Sequence, residues 1–452
     1  MYEKISLPPL KPSEVKDQFY TVLSVELGNT TIKSIIVTTN IKTNQSFELN
    51  KLVYLTRDIR SPKESEEIFG HTIWDKELSK EAIEETISKI ILNSLFDIKL
   101  TVFDIDFVVR STGVTAISNL SEEVGLIIKA LSDGCLKAGI KPSQMTAPFS
   151  LSNIPEHMQK LSFFNNIQFD GSVVSVAPPK STGIISNEME GELVTAGIKL
   201  ASKSSIIDYR NPVISVDMGT TLAGQVIDDT RPYANLLCNY AGLAGGISDV
   251  LLRGCNIISS NQSTIDINNT DNNMELNYEN LHKVSSKLHH FIDIMAIPHD
   301  VKEFGLVNIH SSDKNELDVK IIASKISDEN KLSQTFADLV DVNDINQVML
   351  QIDDFYALFI KRLVEETKKL NLLLPEMTLG ITGRAGITGQ KPQLIHHYMK
   401  DDFDEILFAE DALALGALMM ARCMNSLGTP TNPIGGSKKG YCIMQQRIQK
   451  NK

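Results

Sequence analysis

An internal repeat constrains this chain most: Val22–Val37 (VLSVELGNTTIKSIIV) and Val213–Ile227 (VISVDMGTTLAGQVI) carry one pattern. Each is an apolar strand ending in a carboxylate, Glu26 or Asp217, then a turn of glycine and threonine, then a β-branched strand. A hairpin repeated so far along the chain predicts two similar domains, and 452 residues are enough to build them.

The segments after the two hairpins are alike as well. Lys51–Thr56 (KLVYLT) and Tyr233–Cys238 (YANLLC) each supply a third strand before helical patterns begin. In the first half the spacing predicts a helix over Lys80–Leu95, a strand over Val102–Val109, and a helix over Glu122–Lys137 stopped by Gly139. The expected class is α/β, with mixed sheets flanked by helices. In the second half, Asn256–Asn280 is crowded with Asn, Ser and Thr and reads as an exposed excursion. Tyr278–Met295 reads as a helix and Val301–Ile326 as two short strands. Asp353–Leu370 reads as an amphipathic helix with Phe355, Leu358, Phe359, Leu363 and Leu370 on its apolar side. Residues 1–20 are polar and proline-bearing, lack the apolar core of a secretory signal, and read as a flexible or strapped-down arm.

The repeated turns point to phosphate chemistry. A strand-end carboxylate followed by glycine and hydroxyl residues gathers backbone N–H groups and hydroxyls around one small volume. Gly28, Asn29, Thr30 and Thr31 in the first copy, and Gly219, Thr220 and Thr221 in the second, supply those donors. Glycine lets the turn approach a phosphate closely, and Glu26 and Asp217 can hold Mg²⁺ through its waters. A purely structural repeat needs the turn, but not the carboxylate before it, the hydroxyls after it, or Lys33 just beyond in the first copy.

Composition removes other classes. The 44 basic and 56 acidic residues leave a formal charge of −12, which repels nucleic acid and anionic lipid alike. No apolar run is long enough to span a bilayer, so the expected setting is the cytoplasm. Five scattered cysteines (Cys135, Cys238, Cys255, Cys423, Cys442) form no disulfide framework or metal motif. His289-His290 and His396-His397 read as surface or helix-end histidines, and the basic tail Lys438, Lys439, Arg447, Lys450, Lys452 as solvated.

The order of these motifs resembles that of the actin-like ATPase superfamily, shared by actin, sugar kinases and heat-shock chaperone ATPases, over roughly Thr21 to Leu427. Glu26–Lys33 (ELGNTTIK) is similar to its first phosphate loop and Asp217–Thr221 (DMGTT) to its second. Asn187–Gly197 (NEMEGELVTAG) resembles the first connecting helix, which gives Glu188 a place near the attacking water. Ala241–Leu252 (AGLAGGISDVLL) resembles the segment in which Gly245 and Gly246 approach the nucleotide. Gly380–Ile387 (GITGRAGI) looks like the adenosine motif, with Gly383 under the nucleoside and Arg384 placed to stack on adenine. Ala409–Ala417 (AEDALALGA) is similar to the second connecting helix at the hinge. Two departures stand out: Glu26 replaces the usual Asp, and Thr382-Gly383 the usual paired glycines.

The resemblance implies two RNase H-like domains with a nucleotide cleft between them. A 1–20 arm leads into domains over 21–208 and 209–427, the second including a hinge helix at 409–424, and 428–452 forms a basic tail. The cofactors are ATP and Mg²⁺, and Glu26, Glu188 and Asp217 are the candidate catalytic carboxylates. Arg110-Ser111-Thr112-Gly113 would face the cleft, or is a plain turn. The hairpins and the tail Met419–Gly436 (MMARCMNSLGTPTNPIGG) are also similar to methanogenesis marker protein 14, which implies an archaeal source and a part in maintaining methanogenic enzymes.

Within this fold the leading expectation is a slow ATPase that remodels, activates or reactivates a partner enzyme, with a homodimer left open. A small-molecule kinase would need a base, for which only Asp133 and Asp170 are available, neither in a recognisable setting. A filament or scaffold protein is the third alternative. Redox activators of the same fold carry cysteine clusters that this chain lacks.

Overall fold

The first sheet is built from the first hairpin. In the computed structural model, Phe19–Leu27 (β2) pairs antiparallel with Thr31–Asn40 (β3), which pairs with Ser46–Leu55 (β4), while Phe107–Thr112 (β5) adds parallel to β2. The description covers residues 1–427 except 16–18, 41, 73, 75, 113–120, 146–147, 150, 151–168, 171–187, 230–235, 268–275, 299–302, 305–306 and 309–318. The helices Lys80–Asp97 (α1) and Ser121–Lys137 (α2) cover one face of this sheet, burying Ile83, Ile87, Ile90 and Leu131 against Leu23, Val25 and Val108. Gly139 takes φ +93° just beyond α2, as its stop requires.

The second sheet has eight strands. Val213–Met218 (β6), Leu222–Ile227 (β7) and Leu236–Gly242 (β8) repeat the antiparallel meander. Ile292–Ala296 (β9) and Lys320–Ile326 (β10) extend it beyond β8. Thr378–Thr382 (β11) and Ile406–Ala409 (β12) extend it in parallel on the other side. The outermost strand is Tyr2–Ile5 (β1), parallel to β12. The order is therefore β1-β12-β11-β6-β7-β8-β10-β9.

Two helices lie between the sheets. Glu188–Ala201 (α3) packs on the second sheet and Ala412–Leu427 (α9) on the first, and they cross at unusually short range. A Cβ at Gly197 would stand 1.7 Å from the Ala412 carbonyl oxygen, and one at Gly416 1.9 Å from that of Leu193, so only glycine permits the crossing. Leu193, Val194, Ile198, Leu415 and Leu418 form one core with Val22, Ile35 and Val109 of the first sheet and Val213 and Leu407 of the second. The outer face of the second sheet is covered by Gly246–Gly254 (α4), Tyr278–Leu288 (α5), Glu329–Leu339 (α6), Ile345–Lys369 (α7) and Lys391–Met399 (α8). Two mixed sheets separated by crossed helices, each opened by its own copy of the hairpin, make this an actin-like ATPase fold.

Several sequence expectations need correction. The residues at 102–104 form a 3₁₀ turn, and the strand begins at Phe107, so Arg110, Ser111 and Thr112 lie in β5 and not in a turn. Arg110 is buried, with its guanidinium donating to the Ser132 hydroxyl. The helix expected over Tyr278–Met295 stops at Leu288, because the β-branched run beyond it pairs with β10 as strand β9. The amphipathic helix α7 starts earlier than expected, capped by the Asp344 carboxylate on Asn346 N and Gln347 N.

The N-terminal segment is strapped down, and it belongs to both units. Ile5 and Leu7 are buried between the sheets, and beyond β1 the chain bonds to β4, with Glu48 N donating to Pro8 O at 3.0 Å and Leu10 N to Glu48 O at 3.0 Å. The basic tail, Gly113 and residues 268–275 of the Asn256–Asn280 excursion lie outside the described residues.

Candidate functional site

The two hairpin turns open onto one cavity of about 490 Å³ between the sheets. Its wall includes Glu26, Gly28, Asn29, Thr30, Thr31 and Lys33 from the first copy and Asp217, Gly219, Thr220 and Thr221 from the second. Gly245, Gly246, Gly383 and Arg384 line it as well. Glu188 opens α3, but its side chain lies outside the described residues.

Backbone bonds fix these pieces to one another. Gly28 N donates to Thr31 O at 2.9 Å, closing the first turn, and Gly245 N donates to Gly219 O at 2.7 Å, tying the glycine segment to the second. Gly246 N and Ala244 N both donate to Thr220 O, at 3.2 and 3.1 Å. Below that segment the buried Tyr356 of α7 accepts from Ser248 N at 3.0 Å and shares its own proton between the carbonyls of Ala244 (3.1 Å) and Gly245 (3.0 Å). Gly383 has φ +81°, and a Cβ there would lie 2.4 Å from Asp217 Oδ1, so the loop after β11 meets the second hairpin only as glycine.

The polar end of the cavity is crowded with charge. Lys33 stands opposite Glu26 in the β2–β3 register, its ammonium 3.7 Å from Glu26 and 3.6 Å from Asp411, which is also paired with Lys51. Lys33 is raised: burial opposes its charge, but Glu26, Asp411 and Asp217 together outweigh that cost. Asp411 is lowered because Lys33 and Lys51 overcome its burial. Asp217 faces no cation of its own hairpin, and burial pushes it up to about 7, with Lys33 only partly opposing and Glu26 and Asp411 adding to the rise. Burial, with Asp217 and Glu26 nearby, pushes Glu190 up to about 8.

Glu190 is the residue that motif reasoning missed. It lies on α3, is 6% exposed, lines the cavity, and its Oε2 has no hydrogen-bond partner among the described residues. A signal existed, because Glu190 shares a helix face with the buried Leu193, Val194 and Gly197, where an unpaired acid needs a reason. Asp411 was within a quoted motif, yet only the register of β12 with β11 brings it to the cleft.

The donor set fits a hydrated divalent ion. Glu26 Oε2 and Glu190 Oε2 are both buried and without hydrogen-bond partners among the described residues, and three acids meet there with Lys33 as the nearest cation. No group of three His, Cys, Asp or Glu residues converges as a metal cage among the described residues. Mg²⁺ commonly keeps several waters and takes one or two carboxylates plus substrate phosphates, which suits this set.

The other end is drier, lined by Ile265, Ile267, Met349, Ile352 and Ile387. Its floor is stapled by a buried ion pair: Lys391 Nζ bonds Asp353 and also Thr388 O (3.3 Å) and Thr388 Oγ1 (3.2 Å), while Gln390 N donates to Asp353 Oδ2 at 2.6 Å. Part of the expected exposed excursion is thus cavity wall, since Ser263, Thr264, Ile265 and Ile267 all line it. Of the histidine pairs, His289 is buried against Phe355 O (2.9 Å) and held down to about 3 by that burial, and His397 stacks on Tyr278. Of the two acids weighed as kinase bases, Asp133 pairs with Lys80 at 2.6 Å outside the cavity, and the Asp170 side chain lies outside the described residues.

Comparison with known proteins places the chain. A family model described as "Uncharacterized protein conserved in archaea (DUF2114)" matches residues 19–451, and the chain belongs to that family. A protein of Methanocaldococcus jannaschii is 44% identical over 443 residues, 96% of this chain and 91% of that one. Another, of Methanothermobacter thermautotrophicus, is 43% identical over 445 residues, 96% of this chain and 84% of its own length. Among solved structures, the ethanolamine utilization protein EutJ from Carboxydothermus hydrogenoformans aligns at TM-score 0.38 and 10% identity, over 91% of this chain and 92% of that one. The activator of 2-hydroxyisocaproyl-CoA dehydratase from Clostridium difficile, with bound ADPNP, aligns at 0.38 and 12%, over 90% and 96%. A reductive activator for a corrinoid, iron-sulfur protein aligns at 0.37 and 10%, over 90% of this chain but 61% of that one. Likenesses this remote carry no weight on activity. Among the described residues no helix is long and apolar enough to cross a membrane.

Proposed function

We propose that this archaeal protein binds ATP with Mg²⁺ between its two hairpins and hydrolyses it slowly, and that the resulting movement of its two units activates or maintains a partner enzyme. The observation that carries the proposal is the convergence of both turns, the Gly245-Gly246 segment and three carboxylates on one cavity. Backbone N–H groups and threonine hydroxyls of the turns would cradle the phosphates, and the drier end bounded by Ile265, Ile267 and Ile387 would take the nucleoside. Arg384, exposed at that wall, would lie against the base.

Glu26 and Asp217 would hold the Mg²⁺, which when bound offsets the charge of the phosphates. Lys33 neutralises the first hairpin and stands near the phosphate position. Glu190, with Glu188 beside it on the same helix, orients the attacking water. The methanogenic setting rests on the resemblance to methanogenesis marker protein 14.

Calorimetric titration with ATP and ADP in Mg²⁺, followed by phosphate release without an acceptor, tests this reading. Binding with slow release is the expected result. Asp217→Asn and Gly219→Val should each abolish binding while unfolding stays cooperative, since a Cβ at Gly219 meets nothing closer than 3.4 Å. ADP formation that requires an added hydroxyl compound and yields its phosphate ester in place of free phosphate would identify a kinase instead, and ATP-dependent pelleting a filament. Retained binding in both variants would sink the site assignment.

A further inference from the structure

The two units also touch beside the cavity, away from the crossed helices, next to Thr264, Ile265 and Ile267 of its wall. Just after β4, Arg57 forms a two-pronged ion pair with Asp266, and its guanidinium also donates to Asn261 O at 3.2 Å. Arg57 belongs to the first unit, and Asp266 to the 3₁₀ turn Thr264–Asp266 of the second. Paired guanidinium and carboxylate groups in this geometry are stronger than a single surface contact.

Each partner is wired to one of the repeated turns. On the first side, Thr56 N donates to Thr30 O at 3.0 Å and Thr56 Oγ1 to Gly28 O at 3.2 Å. On the second, Thr264 Oγ1 donates to Asp249 Oδ1 at 2.6 Å and lies 2.7 Å from Ser248 Oγ, which bonds Gly245 O at 2.7 Å; Gly245 N in turn bonds Gly219 O. An unbroken ring of bonds therefore runs from the first turn through Thr56, Arg57, Asp266, Thr264, Ser248 and Gly245 to the second. From that ring we infer that the Arg57–Asp266 pair is a gate on the nucleotide site: it must open for nucleotide to leave, and a nucleotide gripping both turns holds it shut.

This gate rests on the proposed nucleotide binding and adds its regulation. The pair is partly exposed beside the cavity wall, so any partner or salt condition that competes for Arg57 or Asp266 would speed exchange. The chain carries its own reporter, because its single tryptophan, Trp74, lies under Arg57 with the guanidinium carbon 5.7 Å from the ring centroid.

The test measures Trp74 fluorescence and stopped-flow release of ADP in Mg²⁺ from the full chain, beside calorimetry on the same samples. Wild type should change its fluorescence on binding. Asp266→Ala and Arg57→Ala should release ADP about tenfold faster, and the exchanged pair R57D/D266R should recover most of that change. A mutant that fails to fold is replaced by Asp266→Asn, which keeps the side-chain shape. Binding heat in wild type with release unchanged in these variants overturns the gate and leaves the nucleotide reading standing. No binding heat in wild type overturns the nucleotide reading, and the gate with it.

Discussion

The two hairpins share a backbone plan and differ in how they handle charge. In the first, Glu26 faces Lys33 across the ladder; in the second, the register sets Asp217 opposite Ala223. One lysine thus serves both copies, and the second keeps an acid at about 7, short of a local cation. The second copy is also cut away to admit a helix: Gly224 has φ +145°, and a Cβ at Gly191 of α3 would stand 2.9 Å from its carbonyl oxygen. The first hairpin carries its own counter-charge, and the second borrows Lys33 from it.

The largest effect should come from filling the notch. Alanine at Gly224 would place its Cβ 2.1 Å from Ser215 O in a backbone conformation side chains avoid, so Gly224→Ala should lose more than about 3 kcal/mol in denaturant unfolding. Its counterpart in the first ladder, Ser34, has a buried hydroxyl with no partner among the described residues, and Ser34→Ala should stay within about 1 kcal/mol. Equal losses would mean the two hairpins pack alike.

Next in size is the effect on nucleotide affinity. Asp217→Asn should weaken Mg-nucleotide binding by more than about 100-fold and Glu26→Gln by about tenfold, because Lys33 keeps Asp411 as a partner when Glu26 is neutral. A reversed order in calorimetry would move the main metal ligand to the first copy.

The pH dependence should track the second copy. Asp217 and Glu190 sit at about 7 and about 8, above their unfolded values, so the folded state binds the extra protons between the ordinary carboxylate range and about pH 8. Stability of the nucleotide-free protein should therefore fall as pH rises through that window and level off above it. Asp217→Asn or Glu190→Gln should flatten the slope in thermal melts at several pH values, and saturating Mg²⁺ with ADP should do the same. The smallest effect is Thr56→Val, which removes one buried hydrogen bond to the first turn and should cost about 1 kcal/mol in the same unfolding assay.

The features legible in the sequence were local. The hairpins, the helices at Lys80 and Ser121, and the strand at Thr378 all carry short-range patterns, and the glycine and carboxylate spellings around them name the cavity wall. The features it hid depend on distant partners. Tyr2–Ile5 is too short to read as a strand, and its pairing strand lies near the other end of the fold. The Thr264–Asp266 turn sits in a polar stretch that looks like solvent-exposed loop, and only its bonds to Asp249 and Arg57 make it part of the site. Glu190 stands in a motif whose spelling draws the eye to Glu188, and only the packing of α3 shows it buried on the cavity wall.

The strap at the start of the chain also bears on how the protein is made. During synthesis Tyr2–Ile5 emerges well before the edge it joins, Ile406–Ala409, which is among the last described elements to appear. The first sheet can close early from contiguous segments, whereas the second waits with an unpaired β12 edge until Tyr2–Ile5 and Ile406–Ala409 meet. A ribosome-bound intermediate would thus hold one closed sheet still lacking its Ala412–Leu427 cover and one unsealed sheet, and the slow step in maturation would be the return of the first strand to the last.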